Sequence, residues 1–264
     1  MKKVLSIVLA IMSLFAFTGF VRDAEKGDRP VRQEAPAEKV LRVGADLSAP
    51  PFAYYQQASK TCIGFDVELM RGLAGSMGYD RVEFVPADSN NLLPSLQNGK
   101  VDAAIFSRNV TDEQRRAVDF TEPYLERSGV AIALSGTEVQ SAEDMRDKRI
   151  AVEAGSAYAK HANQYSDAVI LCGNAEEALK MVLEQKADFA VMDNYTARFY
   201  VANFYKDKLK LMAGWPDDTG TGVGIAVAKG NQEMLDKLNT ALQNYRGTAA
   251  YYQTKRSYFG RLEE

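Results

Sequence analysis

Residues that carry catalytic or metal chemistry are scarce in this 264-residue chain, which has two cysteines, Cys62 and Cys172, and one histidine, His161. A zinc site or a Cys/His nucleophile pair needs more ligands at closer spacing, so neither is expected, and no cofactor is implied. Both cysteines adjoin apolar runs and read as buried thiols. A disulfide between them would join the two halves of the chain and restrict motion between them. No sign of charge dominates: the formal net charge is −3, with acidic and basic residues interspersed. A basic stripe with interleaved aromatics is missing, which argues against nucleic acid as a partner. Long apolar runs are missing too. The stretch 4–17 is broken by Ser6 and Ser13 and is shorter than the roughly 20 apolar residues that a spanning helix needs.

With Lys2 and Lys3 ahead of it, that stretch reads as the core of an export signal covering 1–21. Residues 22–39 are charged, proline-containing and aperiodic, a composition that buries no core and reads as a flexible tether. Phe17-Thr18-Gly19 looks like the start of a lipoprotein signal, but Phe20 stands where the lipidated cysteine belongs. A periplasmic or cell-surface location is therefore expected, with Phe20 arguing against a lipid anchor. A hydrophobic content of 46% suffices for one large domain or two lobes with real cores.

What remains alternates strand and helix. KVLRVGA (39–45) reads as a strand, DLSAPPF (46–52) as a loop, and 63–77 as a helix with a stripe at Phe65, Leu69, Leu73 and Met77. Gly78 ends it. A strand at 81–86 and a helix at 92–97 come next. Residues 101–106 then form a buried strand that leads through Ser107, Arg108 and Asn109 into a capped helix and DFTEPY (119–124). The pattern repeats with strands at 149–153, 168–171 and 188–192. Helices open at Ser156, at a capping box over Asn174–Glu177, and at Asp193. Such alternation means α/β with a mostly parallel sheet. The glycine-bearing runs 128–134 and 222–228 look like two crossings between lobes, and the tail 232–259 like a helical segment returning to the first. The expected division is 40–130 with 227–264 as lobe 1 and 131–226 as lobe 2, with a cleft between. A loop that leaves a strand's C-terminal end and opens a helix is where open α/β sheets place ligands, and its unpaired N–H groups favour negative charge.

GFDVEL (64–69), LLPSLQNGKVDAAIF (92–106), VDFTEPY (118–124) and GVGIAVAKGN (222–231) together resemble, in order, the motifs of bacterial extracellular solute-binding proteins of the polar amino-acid type, family 3. The resemblance implies a type II periplasmic-binding-protein-like fold: α/β, two lobes joined by two hinge strands and closing on a ligand. It implies a monomer that captures a small amine-bearing solute, an amino acid or related amine, and delivers it to the membrane permease of an ABC transporter. In such proteins an arginine three residues after the loop threonine grips the ligand carboxylate, a task suited to a bidentate guanidinium. Here Thr111 is followed three residues on by Gln114, and Arg115 points about 100° away round the helix. Losing a charged hydrogen bond costs about 1.5–3 kcal/mol, roughly tenfold to a hundredfold in affinity.

The resemblance also implies roles for Asp193, on the ligand ammonium, and for Asp46, Phe52, Phe106, Ser107, Arg108, Asn109 and Ser156 around the cleft. Each has a plainer reading beside it. Gln114 closes a capping box with Thr111, Asp193 and Ser156 cap helices, Asp46 is a turn residue, Phe52 a core aromatic and Arg108 a rim charge. Two other functions use the same fold, a dehydratase-like enzyme and a ligand-binding sensor subunit. Asp46, Asp193 and Glu153 are the carboxylates such an enzyme could draw on.

Overall fold

A computed structural model describes residues 37–105, 112–139, 141–212 and 222–260. The chain divides into two units, 1–37 and 38–264, and every strand and helix among the described residues lies in the second. The first half of that unit runs β1 (Val40–Ala45), β2 (Ser48–Ala49), β3 (Ala53–Gln56), β4 (Thr61–Ile63), α1 (Phe65–Ser76), β5 (Arg81–Pro86), α2 (Ser89–Gln97), β6 (Ala103–Ile105), α3 (Asp112–Ala117) and β7 (Val118–Phe120). The second half runs β8 (Gly129–Leu134), a 3-10 turn (Ala142–Met145), β9 (Ile150–Glu153), α4 (Ala157–Ala162), β10 (Val169–Cys172), α5 (Ala175–Leu183), β11 (Phe189–Asp193), α6 (Asn194–Phe204) and β12 (Leu209–Met212). β13 (Ile225–Ala228), α7 (Gln232–Arg246) and α8 (Ala249–Phe259) complete it.

Two sheets organise these elements, in the orders β5-β1-β6-β13-β7 and β10-β9-β11-β8-β12. Each has three parallel strands with an antiparallel one beside them. The duplication extends to side chains. Arg42 is the third residue of β1, and its N–H, Nε and Nη2 all donate to Asp102 at 2.9, 3.1 and 2.6 Å. Arg149, just before β9, does the same to Asp188 at 2.9, 3.1 and 2.7 Å. Both aspartates follow a Lys-x pair, at Lys100 and Lys186, so the sequence repeat is a structural one.

Helices cover both faces of both sheets because both faces are apolar. Leu41 and Val43 meet Leu73, Leu238 and Leu242 of α1 and α7. Ala104 and Val118 on the opposite face meet Leu92 and Leu96 of α2. In the second sheet α4 covers one face, and α5 and α6 the other. Tyr195 of α6 crosses over and belongs to the core of the first sheet.

Several expectations are corrected. The runs 128–134 and 222–228 are only in part the crossings. Most of each is a strand inside a sheet, β8 and β13, where burial on both faces accounts for the composition. The chain crosses at Leu125, just before the first run, and at Val223, at the start of the second, and the two passes pair with each other. Leu125 and Val223 form an antiparallel bridge, with Val223 N–H donating to Leu125 O at 2.9 Å. β2, β3 and β4 form a small antiparallel sheet where a loop was expected, and β12 was not foreseen. All are two to four residues long, too short to show a period. The capping box at α5 is half formed: Asn174 accepts from Glu177 N–H at 2.9 Å, but the Glu177 carboxylate reaches back to Gly173 N–H at 2.6 Å. The tail is two helices, broken at Gly247-Thr248, and it does pack on α1. Both cysteines are free, Cys172 buried but Cys62 only half-buried, and burial pushes both thiols up, away from reactivity.

Three of the four motifs meet near the crossing, 64–69, 118–124 and 222–231. Gly64 has φ 132°, and a Cβ there would lie 2.1 Å from Phe52 O, so only glycine fits. That fit lets Phe65 and Asp66 N–H donate to Pro51 O and Phe52 O at 3.0 and 2.9 Å. Asp66, fully buried, accepts from Tyr124 Oη at 2.9 Å. Burial and then the Asp66 charge hold the Tyr124 phenol well above its ordinary value. Gly222 passes Pro123 so closely that a Cβ would come within 2.1 Å of its ring. Thr121 Oγ1 accepts from Ile225 N–H at 2.9 Å. Asp119 accepts from Lys229 Nζ at 2.6 Å and Gly230 N–H at 2.7 Å.

Candidate functional site

The parallel strands of both sheets deliver the expected site residues at their C-terminal ends, the edge where open α/β sheets bind ligands. Asp46 comes directly after β1, and Asp193 is the last residue of β11. Ser156 stands three residues beyond β9, and Gln114 is the third residue of α3. Phe106, Ser107, Arg108 and Asn109, together with Thr111, lie outside the described residues, between β6 and α3.

Asp46 is half-buried. Its Oδ1 accepts from Ser48 N–H at 3.1 Å and Ser48 Oγ at 2.6 Å, an Asx turn. Its other oxygen receives no bond among the described residues. Ser156 is the residue before α4, but its Oγ donates to Glu153 O at 2.7 Å and makes no side-chain cap bond. Gln114 is half-buried, whereas Arg115 is exposed and places its guanidinium 5.9 Å from the Phe120 ring centre.

Asp193 and Phe52 are brought together by a residue that sequence reasoning missed, Arg127. Asp193 caps α6: its Oδ1 accepts from Tyr195 and Thr196 N–H at 3.1 and 2.9 Å. Its Oδ2 pairs with Arg127 Nη2 at 2.5 Å. Arg127 and Asp193 are only 8% and 4% exposed, so neither charge is answered by solvent. Burial is the largest single influence and would lower the arginine's pKa, but the Asp193 charge and hydrogen bond together with the nearby Tyr158 and Tyr124 outweigh it, and the net shift is upward. The guanidinium also lies 4.7 Å from the Phe52 ring centre, a cation–π contact. Phe52 in turn packs edge-on to Tyr195, and Phe259 stacks against Tyr195 at 4.3 Å. Burial pushes the Tyr195 phenol up to about 12. One signal could have revealed Arg127. It stands immediately before an apolar strand, and a buried arginine requires a carboxylate.

Chemically, a carboxylate has about four lone-pair positions. Two helix N–H groups and Arg127 take three of those on Asp193, which leaves about one for a ligand donor. Phe52 is both core aromatic and floor beneath Arg127. Among the described residues no group of histidine, cysteine and carboxylates could hold a metal, and no helix is long and apolar enough to cross a membrane.

The chain is similar to known proteins in sequence and in fold. Residues 41–261 match the family described as bacterial extracellular solute-binding proteins, family 3. An L-arginine-binding protein of Pseudomonas aeruginosa is 29% identical, over 84% of this chain and 89% of its own. A probable histidine-binding protein of Neisseria gonorrhoeae is 28% identical, over 84% of each. Among solved structures, an ancestral arginine-binding protein bound to arginine superposes with a TM-score of 0.70 at 32% identity, covering 84% of this chain and 99% of that one.

Proposed function

Because the chain belongs to the bacterial extracellular solute-binding proteins, family 3, we propose that it captures a cationic amino acid outside the cytoplasm and hands it to the permease of an ABC importer. It does so as a monomeric binding protein with no catalytic step. The lobes are 40–130 with 227–264 and 131–226, a division supported by sheet membership, since β8 to β12 form one sheet and the remaining long strands the other. Ligand that touches both lobes favours the closed state by its differential affinity.

The observation that carries the reading is the placement of Asp46 and Asp193 at the C-terminal ends of β1 and β11. Each sheet thus offers one carboxylate at its ligand-binding edge, and relatives named for arginine and histidine agree with an amine-bearing ligand. Arg127 occupies most of one face of Asp193, so Asp46 carries the larger share of amine recognition. With glutamine at 114, the carboxylate grip falls to Arg108, three residues before Thr111.

A thermal-shift panel of the purified protein tests the ligand class. Arginine, lysine, histidine and ornithine should stabilise it, by about 2.7 kcal/mol at a hundredfold excess over Kd. Stabilisation by dicarboxylates or sugars alone would overturn the proposal. Arg108→Ala should then weaken the best ligand roughly tenfold to a hundredfold. An unchanged Kd would return Arg108 to the rim.

A further inference from the structure

A cavity of about 560 Å³ opens between α6, β12 and the end of α8. None of the residues at the strand edges lines it. Its polar lining is mainly cationic: Arg198, Lys206 and Lys210 stand against one carboxylate, Asp207. No ion pair joins any of these four to another described residue. Arg198 is half-buried, and its Nε is buried with no hydrogen-bond partner among the described residues. Leu209 and Phe259 supply apolar wall beside these charges.

That arrangement is costly as it stands. A buried guanidinium N–H without an acceptor forfeits its hydration and gains nothing. Cations gathered in one open cleft also repel, although Lys206 and Asp207 are exposed and solvent screens part of that repulsion. An oxyanion answers each cost at once. A planar guanidinium offers paired N–H groups that match two oxygens of a carboxylate or phosphate, and the two ammonium groups add charge without demanding one geometry. Asp207 sets the charge required: three cations less one carboxylate leave two positive charges to be met.

We infer that this cavity is a second ligand site, which takes a small oxyanion of about two negative charges, either inorganic phosphate or a short dicarboxylate. The site uses none of the residues assigned to the amine ligand, so it stands whatever that ligand proves to be. Its walls come from two separate stretches of the chain, with α6 and β12 on one side and Phe259 and Gly260 on the other.

Calorimetric titration of the full protein in a low-salt, phosphate-free buffer tests it, with inorganic phosphate and succinate as separate arms and chloride at matched ionic strength as control. Saturable binding in one or both arms is expected, and the responding arm identifies the ligand chemistry. Arg198→Met should weaken it at least tenfold. A Lys206→Gln/Lys210→Gln variant, altered only at flexible side chains, should weaken it too and serves if Arg198→Met does not fold. Heats no larger than those of chloride would overturn the inference. So would binding that survives unchanged in these variants, which would place the anion elsewhere.

Discussion

Arg127 and Arg149 carry the same charge and meet an aspartate at 2.5 and 2.7 Å, yet their surroundings differ. The Arg149 and Asp188 side chains are 47% and 36% exposed, and a pair in water contributes about 0–1 kcal/mol. Arg127 and Asp193 are both buried, so removal of the arginine leaves a buried carboxylate with two helix N–H groups. Arg127→Ala should cost about 3–5 kcal/mol, and Arg149→Ala less than about 1 kcal/mol, both read from urea unfolding. Equal losses would mean that solvent reaches Asp193 once the arginine is gone. The sequence shows Asp193 well enough, because a helix start that needs an N-cap is a local pattern. Arg127 was illegible because its burial and its partner 66 residues away are tertiary facts. Asp46, read either as turn or as cleft acid, is a turn residue by its bonds and still leaves one oxygen at the strand edge.

At the scale of elements, β7 and β13 are clasped by Asp119, which accepts from Lys229 Nζ and Gly230 N–H. The Lys229 bond, then the Gly230 bond, hold the Asp119 carboxyl below its ordinary 3.8. A depressed acid contributes stability that is complete above its unfolded pKa and is lost as pH falls through its folded one. The melting temperature of wild type should therefore exceed that of Asp119→Asn by a constant margin from neutral pH down to about 5, and the margin should shrink below about pH 4. A margin that persists at acid pH would mean that the amide disrupts the clasp by shape rather than charge. Long periodic elements were legible: α1, α5, α6, β1, β5, β9 and β11 fall within a few residues of expectation. β2, β3, β4 and β12 were not, since strands this short are defined by their partners and not by their own pattern.

For the whole molecule, the fold was readable and the ligand was not, and the reason lies in what the motifs do. Gly64, Asp66, Tyr124 and Gly222 build the crossing between the sheets, and Thr121 and Lys229 tie the strands of the first sheet beside it. They fix how the chain passes between the sheets, whereas the residues proposed for the solute stand at strand ends outside these motifs. The ligand identified by thermal shift should, at saturation, lower the radius of gyration measured by X-ray scattering toward the roughly 18 Å of a compact chain of this size. An unchanged radius would mean binding without closure.

Tyr195 gives that closure a mechanical consequence. A rod held near one end is a lever, and α6 is held at its second residue by the core of the first sheet. At 1.5 Å per residue, a turn of roughly 10° about Tyr195 would carry Phe204 about 2 Å but Asp193 only about 0.5 Å. The short arm keeps the Asp193 carboxylate nearly still, while the long arm sweeps its exposed tip through solvent. A small rearrangement around the solute is thereby magnified at the opposite end of the helix, where a dye or a partner could register it.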